Sequence, residues 1–169
     1  MNSRERIVAA LNHQPTDRLP IDFGGTVLSG AHVSVISQLR KKLGLGSGPV
    51  KVSEPAQMLG EVDAELADAA MSDVVFLPGP ANIFAIEQKD WKPWRTFDGT
   101  DVLVPGKFNT EPAEDGSILM YAGADKSYPP SARMPKGGFY FDAIVRQKPI
   151  VESELKAEDN LEEFGILDD

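Results

Sequence analysis

The stretch 17–26, DRLPIDFGGT, constrains the fold of this chain more than any other. Its apolar residues alternate with Pro20 and Asp22, and this period of two residues is typical of a β-strand. Gly24 and Gly25 end the run, where they allow a sharp turn and a close approach of the backbone to a ligand. The pattern predicts a strand of an α/β protein with a binding site at its carboxyl end.

The residues on either side extend the α/β pattern. Apolar residues at helical spacing predict helices over 2–12, 31–43 and 53–70. The continuous apolar run Val74–Leu77 predicts a second strand that is buried on both faces of a parallel sheet. Strands and helices joined by short links favour α/β organisation, with residues 50–52 either a short strand or merely extended.

From Trp91 onward the pattern changes to short β runs at 96–97, 102–104 and 118–121. Strong turn signals separate these runs, at residues 98–99 and 115–116, where an aspartate is followed by a glycine. We therefore predict a small antiparallel β meander, inserted after the strand at 74–77. Residues 144–161 are predicted to form a connecting segment and an acidic helix.

Composition and charge exclude several classes of protein. The 169 residues carry a net charge of −9, most of it in 152–169, where acidic residues outnumber Lys156 by eight to one. The chain has no basic stripe, which disfavours nucleic-acid binding, and no apolar run of membrane-spanning length. It contains no cysteine, so it offers no thiolate metal site. Together with the polar first residues, these features favour a cytoplasmic protein.

Polar residues near the predicted strand ends are the candidate site, and each has two readings. Asp22 either orients a substrate or is satisfied by backbone N–H groups of the glycine turn. Thr26 and Ser29 either offer hydroxyls or cap the next helix. His32 is either a neutral proton donor or an exposed histidine without a role. We assign substrate binding to Asp22, Gly24, Gly25, Thr26, His32 and Asn82, with no catalytic residue and no metal ligand.

Three stretches resemble the uroporphyrinogen decarboxylase superfamily: RERIVAAL at 4–11 with PTDRLP at 15–20, PAQMLGEV at 55–62, and SDVV at 72–75. The resemblance covers residues 1 to about 80 and implies a (β/α)₈ TIM barrel. Because such barrels typically need about 250 residues, we expect the N-terminal part of one, carrying the inserted meander. The expected division is 1–90 for the first βα units, 91–141 for the meander, and 142–169 for an acidic segment that continues into a missing C-terminal half.

The resemblance also implies a chemistry. True uroporphyrinogen decarboxylases follow their first strand with an arginine-rich segment and carry an essential aspartate further on, but here 23–28 holds no arginine and 78–82 no carboxylate. The chain is thus more similar to the methyltransferase-like branches, which transfer methyl groups between corrinoid proteins and thiols with the help of zinc. No cofactor is expected within this chain; zinc and a corrinoid partner would belong to the full-length protein.

Two alternatives remain open at this point. One is uroporphyrinogen decarboxylation in tetrapyrrole biosynthesis, and the other is a non-catalytic, stand-alone binding domain. On the main hypothesis the parent protein is an enzyme and this piece alone is inactive. Its partner would be a small-molecule or corrinoid-bound substrate, without nucleic acid or membrane. A homo-oligomer is also expected, because a partial barrel leaves strand edges unpaired.

Overall fold

A computed structural model of the chain describes residues 1–82, 86–122, 126–146 and 151–154. These ranges contain short helices, short strands and one turn of 3₁₀-helix at Glu152–Glu154. The helices are α1 (Ser3–Leu11), α2 (Val33–Lys42) and α3 (Ala64–Ala69). The strands are β1 (Val50–Glu54), β2 (Leu59–Gly60), β3 (Lys92–Arg95), β4 (Asp101–Val104), β5 (Thr110–Pro112), β6 (Ile118–Met120), β7 (Ala132–Met134) and β8 (Asp142–Ala143).

The strands form two sheets of four strands each. The first sheet has the order β2-β1-β4-β3, in which β1 lies parallel to β4 and the other neighbours are antiparallel. Val50 faces Val102 across the parallel pair. The second sheet is an antiparallel meander with the order β5-β6-β7-β8. The first sheet therefore joins residues that lie on both sides of residue 90.

The prediction of an α/β fold, as the N-terminal part of a TIM barrel with an inserted meander, is wrong. Parallel pairing in the described residues is confined to β1 and β4, and the helices do not alternate with the strands. Both runs predicted as parallel strands, 19–23 and 74–77, lie outside the sheets. Val75 is 77% exposed and Leu77 is 90% exposed. Despite their apolar pattern, these residues do not pair in a buried sheet.

The predicted helix over 53–70 is also wrong for most of its length. Ser53 belongs to β1, and the Glu54 carboxylate accepts hydrogen bonds from the backbone N–H groups of Ala56 and Gln57, both at 2.8 Å. These bonds hold a turn, in which Met58 adopts a φ of 53°. The helix begins only at Ala64, with Asp63 as its N-cap. Local hydrogen bonds of the carboxylate therefore outweigh the helical spacing of the apolar residues.

Other predicted elements are confirmed. Asn2 and Glu5 form the capping box of α1, and α2 ends before Gly44, whose φ is 73°. Residues 50–52, 102–104 and 118–120 are strands. The turns at Gly99 and Gly116 have φ of 84° and 81°, as the aspartate–glycine pairs predict. Most of the predicted acidic segment, 142–169, lies outside the described residues.

One hydrophobic core runs through both sheets. α2 contributes Ile36 and the first sheet contributes Val52, and both are fully buried. Met120 of the second sheet belongs to the same cluster. In the sequence, Phe108 lies between β4 of the first sheet and β5 of the second. Its ring contacts those of Trp94 and Phe141 edge-on, with centroid distances of 5.7 and 6.2 Å. Aromatic contacts of this geometry add to the stabilisation from area burial.

A cluster of ion pairs around a buried carboxylate, the Asp73 cluster, holds the N-terminal residues. It consists of Arg6, Asp17, Arg18 and Asp73, and the Asp73 side chain is 0% exposed. Arg6 donates to both carboxylates, with its Nε 2.7 Å from Asp17 Oδ1. Arg18 Nη1 lies 2.7 Å from Asp73 Oδ2, which also accepts the Ile21 N–H at 2.9 Å. Chain segments distant in sequence are thereby fixed together.

The charge of Asp73 is maintained by its partners. Burial raises the pKa of Asp73, but the Ile21 N–H, Arg18, Ser3 and Arg6 together outweigh this effect and lower the pKa to about 2. The Arg6 guanidinium likewise holds the pKa of Asp17 well below its usual range. Both carboxylates therefore stabilise the fold in their charged form.

Replacement of the buried carboxylate is expected to destabilise the fold. Asp73→Asn leaves two guanidinium groups without their shared partner, so the midpoint of urea unfolding should fall clearly. The pKa of Asp73 in the folded state is about 2, which is below its ordinary value of 3.8. Its contribution to the free energy of unfolding is therefore complete above pH 3.8 and is lost as the pH falls towards 2. The variant should lose this part of the acid dependence. Asp101→Asn, which breaks only the exposed pair with Arg95, is the control.

The hydrophobic core that the two sheets share leads to a second prediction. Phe108→Ala should lower the free energy of unfolding by about 3–5 kcal/mol, because it removes a ring between the two sheets and leaves a cavity. Unfolding should remain one transition when it is followed by tryptophan fluorescence and by far-ultraviolet circular dichroism. Two separate transitions would show that the sheets have independent cores.

Candidate functional site

The loop 22–29 satisfies its own polar groups. Asp22 Oδ1 accepts hydrogen bonds from the Gly25 N–H at 2.9 Å and from the Ser29 hydroxyl at 2.7 Å. Thr26 Oγ1 accepts the Leu28 N–H at 3.2 Å, and the Thr26 N–H donates to Ser29 Oγ. Asp22 and Thr26 thus act as partners of the loop backbone. Thr26 and Ser29 do not cap α2, because His32 is its N-cap.

The two glycines of this loop are required by packing against the chain itself. Gly24 has a φ of 76°, and a Cβ atom there would lie 2.4 Å from Val62 Cγ2. A Cβ atom on Gly25 would lie 2.4 Å from Val74 Cγ2. No real side chain tolerates such contacts without movement of its neighbours. The close approach that the sequence suggested is therefore an approach to neighbouring side chains of this chain.

Gly24 also borders a small polar cavity, which we name the Gly24 cavity. Its volume is about 90 Å³, and it is lined by Gly24, Lys51, Ser53, Glu61, Val62, Phe76, Pro78, Gln88 and Trp91. Lys51 Nζ is 3.5 Å from Glu61 Oε2 and 5.3 Å from the centre of the Trp91 ring. Gln88 Nε2 donates to the Ser53 carbonyl at 3.1 Å. The cavity has room for a few water molecules but not for a substrate of ordinary size.

A second and larger depression, the His32 cleft, has the size of a ligand site. Its volume is about 460 Å³, which is within the usual range for small-molecule pockets. It is lined by His32, Ser34, Val35, Gln38, Gln57, Leu59, Asp98, Phe139 and Tyr140. The helix α2, the turn before β2, the turn between β3 and β4, and the segment before β8 all contribute to it. Such convergence of separate elements is typical of binding sites.

His32 is fully engaged at the edge of this cleft. Its Nδ1 accepts the Ser34 N–H at 3.2 Å, which caps α2. Because Nδ1 is an acceptor, Nε2 carries the proton, and it donates to the Phe139 carbonyl at 2.8 Å. The His32 and Phe139 rings also meet edge-on, 5.4 Å apart. Both ring nitrogens are therefore occupied, so His32 positions the Phe139 segment.

Asn82 lies apart from the other predicted residues. Its backbone N–H donates to the Ile86 carbonyl at 3.0 Å, and its Oδ1 accepts the Ile86 N–H at 3.2 Å. It lines neither the Gly24 cavity nor the His32 cleft. The predicted site residues are thus found in three places: the 22–29 loop, the His32 cleft and the turn at Asn82.

The cleft residues that sequence reasoning missed include its acid and its aromatic wall. Asp98 was interpreted only as a turn residue, and Phe139 and Tyr140 only as a short aromatic run. Burial raises the pKa of Asp98, but the neighbouring Ser34 hydroxyl and hydrogen bonds from Thr96 and Thr100 hold it well below its usual range. The signal that the sequence offered was a pair of adjacent aromatic residues directly after two glycines.

Within the described ranges, no group of three or more His, Asp or Glu side chains could hold a metal ion. None of the helices found there has both the length and the apolar character that a membrane crossing requires. Comparisons with protein-family models, with curated proteins and with solved structures find no match to this chain. The cleft and the motif residues themselves are therefore the features that bear on function.

The tight fit of the 22–29 loop can be tested directly. Gly25→Ala should lower the free energy of unfolding by about 1–3 kcal/mol, because its Cβ atom would displace Val74. Gly48→Ala is the matched control, since a Cβ atom there meets nothing within 4 Å. Urea unfolding of both variants measures the difference. Equal stabilities would contradict the packing role of Gly25.

Proposed function

We propose that this chain is part of an enzyme related to the uroporphyrinogen decarboxylase superfamily, and that it binds a small-molecule substrate in the His32 cleft. Corrinoid-linked methyl transfer to a thiol is the proposed reaction, in the cytoplasm. The proposal concerns ancestry and chemistry; it does not require the barrel, which the sheets of this chain do not form.

The observation that carries the proposal is the location of the motif residues. Arg6 comes from the first similar stretch, Arg18 from its continuation, and Asp73 from the third, and all of them meet in the Asp73 cluster. The second stretch, 55–62, supplies Gln57 and Leu59 to the His32 cleft. Short stretches that resemble a family only by chance have no reason to contact one another or to line a cleft of ligand size.

The lining of the cleft favours methyl transfer over decarboxylation of a porphyrinogen. A porphyrinogen carries many carboxylates, and their recognition needs arginine or lysine side chains. Among the described residues that line the cleft, none is arginine or lysine, and Asp98 adds a negative charge. Uroporphyrinogen decarboxylation therefore has no support from this site.

The zinc that the resemblance implies does not fit the residues of this chain that the structure describes. Zinc that activates a thiol prefers cysteine and histidine ligands, and the chain has no cysteine. Both nitrogens of His32 already have partners. We therefore derive no step through zinc or through a corrinoid, and assign this chain only the binding and orientation of a substrate.

A non-catalytic binding domain is the second candidate, and one observation favours it. The hydrophobic core continues from α2 through the first sheet to the second sheet, so the elements around the His32 cleft share one interior. Such a unit can hold a ligand without any further part. It would bind a ligand in the cleft but show no turnover.

An activity assay distinguishes these candidates. The protein that carries this chain is incubated with methylcobalamin and mercaptoethanol, with added zinc, and the demethylated cobalamin is followed by its absorbance. We expect turnover, and we expect Tyr140→Ala to reduce kcat/KM by about tenfold because it removes part of the cleft wall. Tyr128→Ala, at an exposed tyrosine outside the lining, is the control. Absence of turnover would contradict methyl transfer. Equal kcat/KM of Tyr140→Ala and Tyr128→Ala would exclude the His32 cleft as the substrate site.

A further inference from the structure

The charge of the residues that line the His32 cleft predicts the charge of its ligand. Among the described lining residues, Asp98 is the one carboxylate, and the other polar side chains are a histidine, a serine, two glutamines and a tyrosine. His32 is neutral in its hydrogen-bonded form, because Nδ1 accepts and Nε2 donates. The charge of the lining is therefore negative, and no lysine or arginine within it compensates this charge.

The aromatic side chains that line the cleft also favour a cationic ligand. Phe139 and Tyr140 are adjacent in the chain, line the same cleft, and are 53% and 56% exposed. The faces of aromatic rings attract cations through their quadrupole, and they also cover apolar groups. Val35 and Leu59 extend the apolar surface of the cleft. A ligand with an apolar body is therefore favoured.

Buried polar groups complete the site. The Ser34 side chain is almost fully buried, and its hydroxyl lies beside the Asp98 carboxylate, whose pKa it helps to lower. Asp98 itself is fixed by the Thr96 hydroxyl and by the Thr100 N–H at 3.1 Å. The carboxylate is thus preorganised before a ligand arrives.

We infer that the His32 cleft binds a small organic cation with an apolar body, such as an alkylammonium compound, between the Asp98 carboxylate and the rings of Phe139 and Tyr140. This inference rests on the proposed function insofar as the same cleft holds the substrate. It goes further by naming the charge class of that substrate. An anionic ligand would meet the Asp98 carboxylate without a compensating cation in the described lining.

The test is direct binding to the complete chain. Isothermal titration calorimetry is carried out with choline, with its neutral carbon isostere that has a tert-butyl group in place of the trimethylammonium group, and with isovalerate as the anion. We expect choline to bind at least about tenfold more tightly than the isostere, and isovalerate more weakly than both. The methyl protons of bound choline should also shift upfield in proton NMR because they lie over the rings.

Variants locate the interaction. Asp98→Asn should weaken choline binding by about tenfold and leave binding of the isostere unchanged. Asp115→Asn is the matched control, because Asp115 also precedes a turn glycine but lines no part of the cleft. If Asp98→Asn does not fold, Tyr140→Leu at an exposed position tests the aromatic wall and should lose the upfield shift.

The outcomes separate the two proposals. Equal binding of choline and its isostere, or an Asp98→Asn variant that binds choline as well as the original chain does, would overturn the cation inference while leaving the cleft as a binding site. Binding of isovalerate alone would also overturn the cation inference and leave the cleft as a binding site. If none of the three probes binds, the cation inference fails, and the methyl-transfer assay with Tyr140→Ala decides separately whether the cleft holds the substrate.

Discussion

The Asp73 carboxylate is the constraint on which the N-terminal part of this structure depends. A buried carboxylate is costly unless charged partners and N–H donors surround it, and here Arg6, Arg18 and the Ile21 N–H do so. These partners come from α1 and from the segment after it. The hydrogen bonds to the Asp73 carboxylate therefore fix the positions of α1, of residues 17–23 and of residue 73 together. These segments are held by side-chain hydrogen bonds and by one backbone bond, from the Asp73 N–H to the Ile21 carbonyl at 2.7 Å, and none of them belongs to a sheet.

This arrangement explains why the glycine loop and the His32 cleft are separate. Once residues 17–23 and 72–74 are fixed, the loop 22–29 folds back over Val62 and Val74, and only glycine fits at two of its positions. What remains beside it is the Gly24 cavity, with space for water alone. The larger opening lies where α2, the turn at Asp98 and the Phe139 segment meet. His32 connects that opening to the fold by capping α2 and holding the Phe139 carbonyl.

Local signals in the sequence were sufficient for elements that depend on local chemistry. The Asn2 and Glu5 capping box and the aspartate–glycine turns appear where their residues predict them. Alternation over 19–23 did not predict pairing, because a period of two residues describes any extended chain with one covered side. The helix expected over 53–70 failed since Glu54 bonds to the backbone of the next residues, a competition that spacing does not reveal. Asp98 and Phe139 could not be assigned to one cleft from sequence, because only the tertiary fold brings them together.

The strand order of the first sheet also has a consequence for the order of folding. β1 pairs in parallel with β4, so this sheet forms only after the long segment between Glu54 and Asp101 has closed into a loop. Loop closure costs entropy before any contact is gained, and it slows the formation of non-local pairs. The strands β5 to β8 instead pair in the order in which they occur along the chain. Amide protons of the second sheet should therefore become protected from exchange earlier during refolding than those at the β1–β4 pair.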